Sequence, residues 1–268
     1  MGQRLGQHFL SDGNWRARIA SAIGMDMPTQ PGEPNMQERL WLEIGAGHGE
    51  MTRVLAATGA RVIAVELDSK LNQRLQSLAQ EFPRIELAAG DILELDVGVL
   101  TGGARFRVYG NLPYYITSPI LHRLFEYADA LEDVYVVTQL EVAARIAARP
   151  GSRQFGYLSV LSQFYAEPEI LLRIPRGAFR PPPKVTSALI HLRMPGERRS
   201  IGDLDEARFF GFVKLCFAQK RKTLVNNLRT VAAPEGVGAI LRGLDMRADV
   251  RAEQISVTQF AEIYRQLK

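Results

Sequence analysis

Short apolar runs alternate with segments of helical length over the first two-thirds of this chain, and that alternation limits the folds open to it. Residues 39–47, 60–68 and 131–139 have the composition of strands, whereas 69–82 repeats leucine at helical spacing. Strands separated by helices indicate βαβ units, in which the crossover makes the strands parallel. We therefore expect an α/β fold built on a parallel sheet.

The end of the chain has a different pattern. Residues 194–203, with the sequence MPGERRSIGD, have the composition of a linker, and the residues that follow are helical in period. We expect one domain over residues 1–195 and a small helical domain over residues 200–268. The Pro-rich stretch at 27–37 is expected to be an exposed loop.

Composition excludes several classes of protein. A single cysteine, Cys216, cannot form an internal disulfide or a cysteine-based zinc site, and four scattered histidines predict no metal. The chain has no apolar run of about 18 residues, so we expect no membrane span. It also lacks a signal-peptide pattern, which favours the cytoplasm. The net charge of +4 permits a nucleic-acid partner without requiring one.

A glycine-rich loop joins the first predicted strand to a helix. The sequence EIGAGHGE places Gly45, Gly47 and Gly49 at alternate positions, where a sharp turn allows a ligand to approach the backbone. The dinucleotide pattern G-x-G-x-x-G is broken, because Glu50 stands at its third glycine. The loop therefore favours a nucleoside ligand without a pyrophosphate.

Two acidic residues follow the next two predicted strands. Glu66 can accept hydrogen bonds from ribose hydroxyls, and Asp91 can accept one from the amino group of adenine. Either acid alone is more simply an ordinary loop residue. Together with the glycine loop, they predict a site for S-adenosylmethionine, and an NAD-dependent dehydrogenase is the weaker alternative.

The sequence YGNLPYYITSP at 109–119 places an amide, a proline and aromatic residues after another strand. The Asn111 side chain and the Leu112 carbonyl can accept from an adenine N6 amine, Pro113 can fix their turn, and Tyr114 can stack on the base. The alternative is a strand-ending turn with both tyrosines in the core, and we assign Tyr115 to that structural role. Ser118 and Pro119 are expected to start the next helix.

Several motifs in order give the chain a resemblance to a known family. They are LGQHFLSD, EIGAGHGEMT, VIAVELD, GDIL, GNLPYYITSPIL, FRPPPKVTSALIHL and CFAQKRKTLVNNL. The chain resembles the small-subunit ribosomal RNA adenine N6,N6-dimethyltransferases of the KsgA type. The resemblance implies a class I, Rossmann-like S-adenosylmethionine-dependent methyltransferase fold with a small C-terminal α-helical domain. It also implies two methyl transfers to each of two adjacent adenosines in the 3′-terminal hairpin loop of 16S rRNA.

The resemblance assigns roles to individual residues. The cofactor contacts it implies fall on His8, Leu10, Gly45, Glu66, Asp91 and Asn111, with Gly47 added from the loop pattern. The family often has Asn where His8 stands. Phe179, which alone is either a core residue or a second stacking face, would face the target base.

The C-terminal part contains a basic segment. Residues 211–229 carry five basic side chains and no acidic one. We interpret Lys220, Arg221 and Lys222 as a helix face that contacts RNA phosphates, the alternative being an ordinary solvated face. The implied partner is 16S rRNA in a 30S subunit or its precursor, met by a monomer. Two alternatives are a large-subunit rRNA adenine methyltransferase and an assembly factor that acts mainly by binding.

Overall fold

A computed structural model describes residues 8–25, 35–113 and 115–267. The strands are β1 Phe9–Leu10, β2 Leu40–Ile44, β3 Arg61–Glu66, β4 Ile85–Ala89, β5 Phe106–Asn111, β6 Leu131–Gln139, β7 Glu167–Ile174, β8 Phe179–Arg180 and β9 Ser187–Arg193. The helices are α1 Gly13–Ala22, α2 Glu50–Ala57, α3 Ser69–Glu81, α4 Val97–Thr101, α5 Thr117–Phe125, α6 Leu140–Ile146, α7 Tyr157–Tyr165, α8 Arg198–Ile201, α9 Glu206–Cys216, α10 Leu224–Asn227, α11 Pro234–Gly243 and α12 Val257–Gln266. Most of the Pro-rich stretch at 27–37 lies outside the described residues, as does Tyr114.

The main sheet has seven strands in the order β4-β3-β2-β5-β6-β9-β7. Strands β2 to β6 pair with one another in parallel, and β9 runs antiparallel to β6. All five residues of β2 are buried, as expected for a central strand with both faces covered. The predicted α/β fold with a parallel sheet is confirmed, and so is its Rossmann-like class.

The strand order reverses direction at β2. From β2 the chain adds β3 and then β4 on one side, and it returns to place β5 and then β6 on the other. The carboxyl ends of β2 and β5 therefore diverge into crossovers that leave a crevice between them. A separate two-stranded sheet pairs β1 with β8, matching Phe9 to Arg180 and Leu10 to Phe179.

The chain divides into two compact units. The first contains residues 1–143 and 169–194, and the second contains 144–168 and 195–268. The second unit thus includes α7, which the boundary at 195–200 assigned to the first domain. Phe164 of α7 explains the difference, because its ring lies 5.5 Å from Phe209 and 5.2 Å from Phe210 in the core formed with α9. None of the described helices has both the length and the apolar character needed to cross a bilayer.

Candidate active site

A pocket of about 280 Å³ lies in the first unit at the carboxyl ends of β2, β3, β4 and β5. This is the switch point at which open α/β sheets bind their ligands. Predicted residues that line it are His8, Gly45, Gly47, Glu66, Asp91, Asn111, Leu112 and Pro113. Lining residues for which the sequence predicted no site role include Phe9, Leu67, Ile92, Leu93, Tyr115 and Ile116.

The glycine loop turns through three left-handed residues between β2 and α2. Gly45, Gly47 and Gly49 have φ angles of 72°, 59° and 82°, a region that glycine enters without a steric penalty. A Cβ atom on Gly47 would lie 3.1 Å from the Phe9 ring. The loop therefore needs glycine both for its backbone and for the approach of β1.

Glu66 ends β3 with its carboxylate almost fully buried. Its Oε2 accepts a hydrogen bond from the Gly47 amide at 2.8 Å, and its Oε1 accepts one from the Asp68 amide at 2.9 Å. The side chain is only 3% exposed, and it lines the pocket. Two backbone donors therefore hold the carboxylate in place, where its further lone pairs can accept from ligand hydroxyls.

Asp91 and the residues after it form the next part of the wall. The Asp91 Oδ1 atom accepts from the Leu93 amide at 3.0 Å, which fixes the side chain in a tight local turn. Ile92 and Leu93 line the pocket beside it. A carboxylate next to apolar side chains suits a flat base that carries an amino group.

Asn111 is the last residue of β5, and its side-chain amide is oriented by the protein. The Nδ2 atom donates to the His8 carbonyl at 2.8 Å. The next amide, that of Leu112, donates to the Val137 carbonyl at 3.1 Å, and the Pro113 carbonyl accepts from Ile116 at 3.1 Å. The motif is thus a turn tied to the neighbouring strand, with the Asn111 amide oxygen left for an acceptor role.

Of the two tyrosines of the motif, only Tyr115 lies among the described residues. Tyr114 lies outside the described residues, so its stacking role stays a prediction. The structural role expected for Tyr115 is wrong, because its side chain is 65% exposed and lines the pocket. The first helical residue is Thr117, so Ser118 and Pro119 lie within the first turn of α5.

Leu10 and Phe179 do not reach the pocket. They pair across β1 and β8, and both belong to the buried core, with Phe179 completely unexposed. A ring without exposed surface cannot stack on a base, so the core interpretation of Phe179 holds and the base-facing role is corrected. The residue of β1 that does line the pocket is Phe9, whose ring also contacts the edge of His48.

The ribosomal RNA adenine dimethylase family model matches residues 2–268. This chain belongs to that family. It is 40% identical to a ribosomal RNA small subunit methyltransferase A from Acidobacterium capsulatum, over 99% of this chain and 90% of the relative. It is 36% identical to one from Koribacter versatilis, over 99% of this chain and 94% of the relative.

Two solved structures share the fold of this dimethylase over almost its whole length. A dimethyladenosine transferase from Plasmodium falciparum matches with a TM-score of 0.79 and 20% identity, covering 96% of both chains. The 23S rRNA methyltransferase ErmE matches with a TM-score of 0.71 and 27% identity, covering 97% of this chain and 99% of the other. Both matches extend through the C-terminal helical part.

The cofactor of this dimethylase is S-adenosylmethionine, which when bound supplies an electrophilic methyl group on a sulfonium. The glycine loop fits a ligand without phosphates, because four of its amides already have protein acceptors. Gly45 and Ala46 donate to the Val65 carbonyl, Gly47 donates to Glu66, and Gly49 donates to the Ala46 carbonyl. A pyrophosphate site needs free amide donors at this position. The residues present would hold a ribose at Glu66 and an adenine near Asp91.

The predicted RNA-binding cations lie in the second unit, but they are not on a helix. Lys220, Arg221 and Lys222 occupy an exposed turn between α9 and α10. The helix prediction is wrong because Asn227 donates from Nδ2 to the Cys216 carbonyl at 2.7 Å and ends α9 there. Lys220 Nζ donates to the Arg153 carbonyl at 2.6 Å, which places the turn beside Arg153 of the same unit.

One buried acid lies beneath the loop without lining the pocket. Glu43 of β2 is 2% exposed, and burial raises the pKa of its carboxyl to about 8, with the negative charges of Glu66 and Glu50 adding to the effect. Its strand neighbour is Tyr109, whose pKa is also raised by burial. Among the described residues, no cluster of His, Cys, Asp and Glu is arranged to hold a metal ion.

Proposed function

We propose that this dimethylase transfers methyl groups from S-adenosylmethionine to N6 of two adjacent adenosines in the 3′-terminal hairpin loop of 16S rRNA. Its products are N6,N6-dimethyladenosines, made on a 30S subunit or its precursor during ribosome biogenesis. The observation that carries the proposal is the hydrogen bond from Asn111 Nδ2 to the His8 carbonyl. With its donor side engaged, the Asn111 amide offers its oxygen to an amine.

The chemical role of the motif follows from the electronic structure of adenine. The N6 lone pair is delocalised into the ring, so the amine is a weak nucleophile. Acceptors at the Asn111 side chain and the Leu112 carbonyl would favour a pyramidal nitrogen, and Tyr114 would hold the base by stacking. Much of the rate would then come from positioning the amine and from fixed dipoles.

The identity of the RNA is supported by the relatives. Those at 36% and 40% identity are small-subunit methyltransferases, whereas the 23S rRNA methyltransferase ErmE is 27% identical. The large-subunit reaction is therefore the second candidate. Purified 30S and 50S subunits, each incubated with the protein and S-adenosylmethionine, separate the two when digested nucleosides are analysed by mass spectrometry. Dimethyladenosine in 23S rather than 16S rRNA would overturn the proposal.

Methylation is separated from binding by one substitution. Asn111→Ala removes the proposed acceptor and is expected to lower methyl transfer at least about a hundredfold, the usual loss for one preorganised polar group in an active site. Filter binding of 30S subunits should change less than about twofold, because the pocket is not the source of RNA affinity. Equal loss of binding and transfer would favour an assembly factor in which methylation is secondary.

The protein would act as a monomer, with a pocket whose described lining residues belong to the first unit. A ribosomal substrate supports a cytoplasmic location.

A further inference from the structure

Two hydrogen bonds link three distant parts of the chain at the pocket. The His8 ring Nδ1 lies 2.8 Å from the Pro181 carbonyl oxygen, and the His8 carbonyl oxygen lies 2.8 Å from Asn111 Nδ2. His8 is 173 residues from Pro181 and 103 residues from Asn111. One residue thus connects the segment after β8 to the amide at the end of β5.

The direction of each bond is set by its carbonyl. A carbonyl oxygen only accepts, so the Asn111 atom that faces His8 must be the NH2 group. The His8 nitrogen that faces Pro181 must likewise carry a proton. The neutral Nδ1–H tautomer and the imidazolium both satisfy this condition, so protonation of the ring does not break the link.

The backbone that follows His8 is held by β1 and by the start of α1. From Phe9 onward the segment pairs with β8, Ser11 and Asp12 donate to the Ala178 carbonyl, and Arg16 donates to the Leu10 carbonyl. The His8 carbonyl precedes this pairing. The hydrogen bond of the His8 ring to the Pro181 carbonyl ties this residue to the segment after β8 while its carbonyl faces Asn111.

We propose that His8 is a positioning residue for Asn111. Its ring anchors the residue to the Pro181 carbonyl, and its own carbonyl then fixes the amide of Asn111 with the oxygen available to the target amine. The inference rests on the proposed function, in which Asn111 is the acceptor. An asparagine at position 8 would conserve the link, because its amide nitrogen is as far from Cα as the imidazole Nδ1.

Two variants of the full-length protein test this role kinetically. In His8→Ala the anchor is lost, and kcat for methylation of 30S subunits should fall about three- to tenfold, the range of one net hydrogen bond. The KM for S-adenosylmethionine and its Kd by calorimetry should change by a smaller factor than kcat. His8→Asn should restore kcat to within about twofold and leave the pH profile unchanged.

NMR spectroscopy reports on the Asn111 side-chain amide independently of methylation activity. In ¹H–¹⁵N spectra, the Asn111 side-chain resonances are assigned by their absence in Asn111→Ala. We expect one Nδ2 proton to be shifted downfield and protected from exchange in the wild type and in His8→Asn. In His8→Ala it should move toward the position of a free amide and exchange faster.

The outcomes distinguish this inference from the proposed function. Wild-type protein that leaves 16S rRNA unmodified contradicts the proposed function, while the spectra still decide whether His8 orients Asn111. A His8→Ala variant with an unchanged Asn111 amide and a raised KM overturns the inference, because His8 would then act on the cofactor alone. Failure of His8→Asn to restore kcat and the amide signal overturns it as well.

Discussion

Glu43 of β2 carries a buried carboxyl whose environment opposes its usual negative charge. Within the described part of the chain, its Oε2 atom has no hydrogen-bond partner. Thr52 interacts with the carboxyl and lowers its pKa, but the cost of burying a charged carboxylate is larger, and the group reduces this cost by keeping its proton. Glu43 is therefore neutral at neutral pH, beneath a loop whose other acid, Glu66, is held by two amide donors.

This proton makes stability depend on pH in a defined direction. The pKa of the carboxyl is raised from 4.5 to about 8, so the folded protein binds the extra proton between these values. The contribution to stability is complete below about pH 4.5 and is lost as the pH rises through 8. Glu43→Gln removes the titration, so its free energy of unfolding relative to wild type should increase from pH 5 to pH 8. Urea unfolding at both values measures the difference.

The exposed Glu94 provides the control for this prediction. Glu94→Gln removes a carboxyl near the same end of the sheet without removing a buried proton. Its free energy of unfolding relative to wild type should stay constant between pH 5 and pH 8. A constant difference for Glu43→Gln as well would show that Glu43 is ionised in the folded protein.

The site residues that could be predicted from the sequence are those that stand at the ends of strands. Glu66 and Asn111 end parallel strands, so the fold class alone brings them to one edge of the sheet. Phe9 could not be predicted in this way, because it reaches the pocket through pairing of β1 with a strand 170 residues away. Phe179 and Tyr115 show the same limit, since aromatic residues suit a core and a ligand wall equally well.

At the scale of elements, β1 and the glycine loop form one wall of the pocket. The Phe9 ring lies where a side chain at position 47 would have to go. Gly47→Ala should therefore weaken S-adenosylmethionine binding, because the loop must leave its φ of 59° or displace Phe9. We expect the calorimetric Kd to rise about tenfold and stability to fall by roughly 1–2 kcal/mol for the left-handed backbone.

Gly102 is a matched control that separates the effect of the left-handed backbone from the effect of the contact with Phe9. Gly102 has a φ of 63°, and a Cβ there would meet nothing within 4 Å. Gly102→Ala should have a similar stability loss, and the affinity for S-adenosylmethionine should not change. An unchanged Kd in Gly47→Ala would show that contact with β1 does not shape the site.

The sequence predicted whether a segment is a strand or a helix better than it predicted where the segment ends and what connects it to the next one. The strands of the parallel sheet follow from apolar runs between helices, and β2 and β3 lie within the predicted ranges. The basic segment was predicted as helix because its apolar residues continue a helical period through Phe217. The capping of α9 by the Asn227 side chain, eleven residues beyond Cys216, has no signal in that periodicity.

At the scale of the whole molecule, the chain leaves its first unit and returns to it. Residues 144–168 join the second unit, although the chain then returns to the first unit within β7. Composition could predict the later change at 194–203, where proline and glycine interrupt the pattern. Composition could not predict the earlier change at residue 144, because α7 is an apolar helix that would suit either core. Its packing on Phe209 and Phe210 assigns it to the second unit.

The second unit is where we expect the electrostatic share of RNA affinity to arise. Lys220, Arg221 and Lys222 are exposed, and no ion pair with an acidic side chain is recorded for them within the described residues. Changing all three to Gln should weaken 30S binding and reduce the salt dependence of log Kd by about one unit of slope per lost phosphate contact. Binding of S-adenosylmethionine should be unaffected.

An equal change of charge elsewhere tests whether the turn itself is responsible. Arg18, Lys70 and Arg74 are exposed cations of α1 and α3 in the first unit. Changing these three to Gln lowers the net charge by the same amount, so a general attraction to RNA would weaken equally in both triple variants. Filter binding of 30S subunits between 50 mM and 200 mM salt should instead show the reduced slope only for the turn at 220–222. Equal slopes in the two variants would mean that the turn is a solvated surface without a specific phosphate contact.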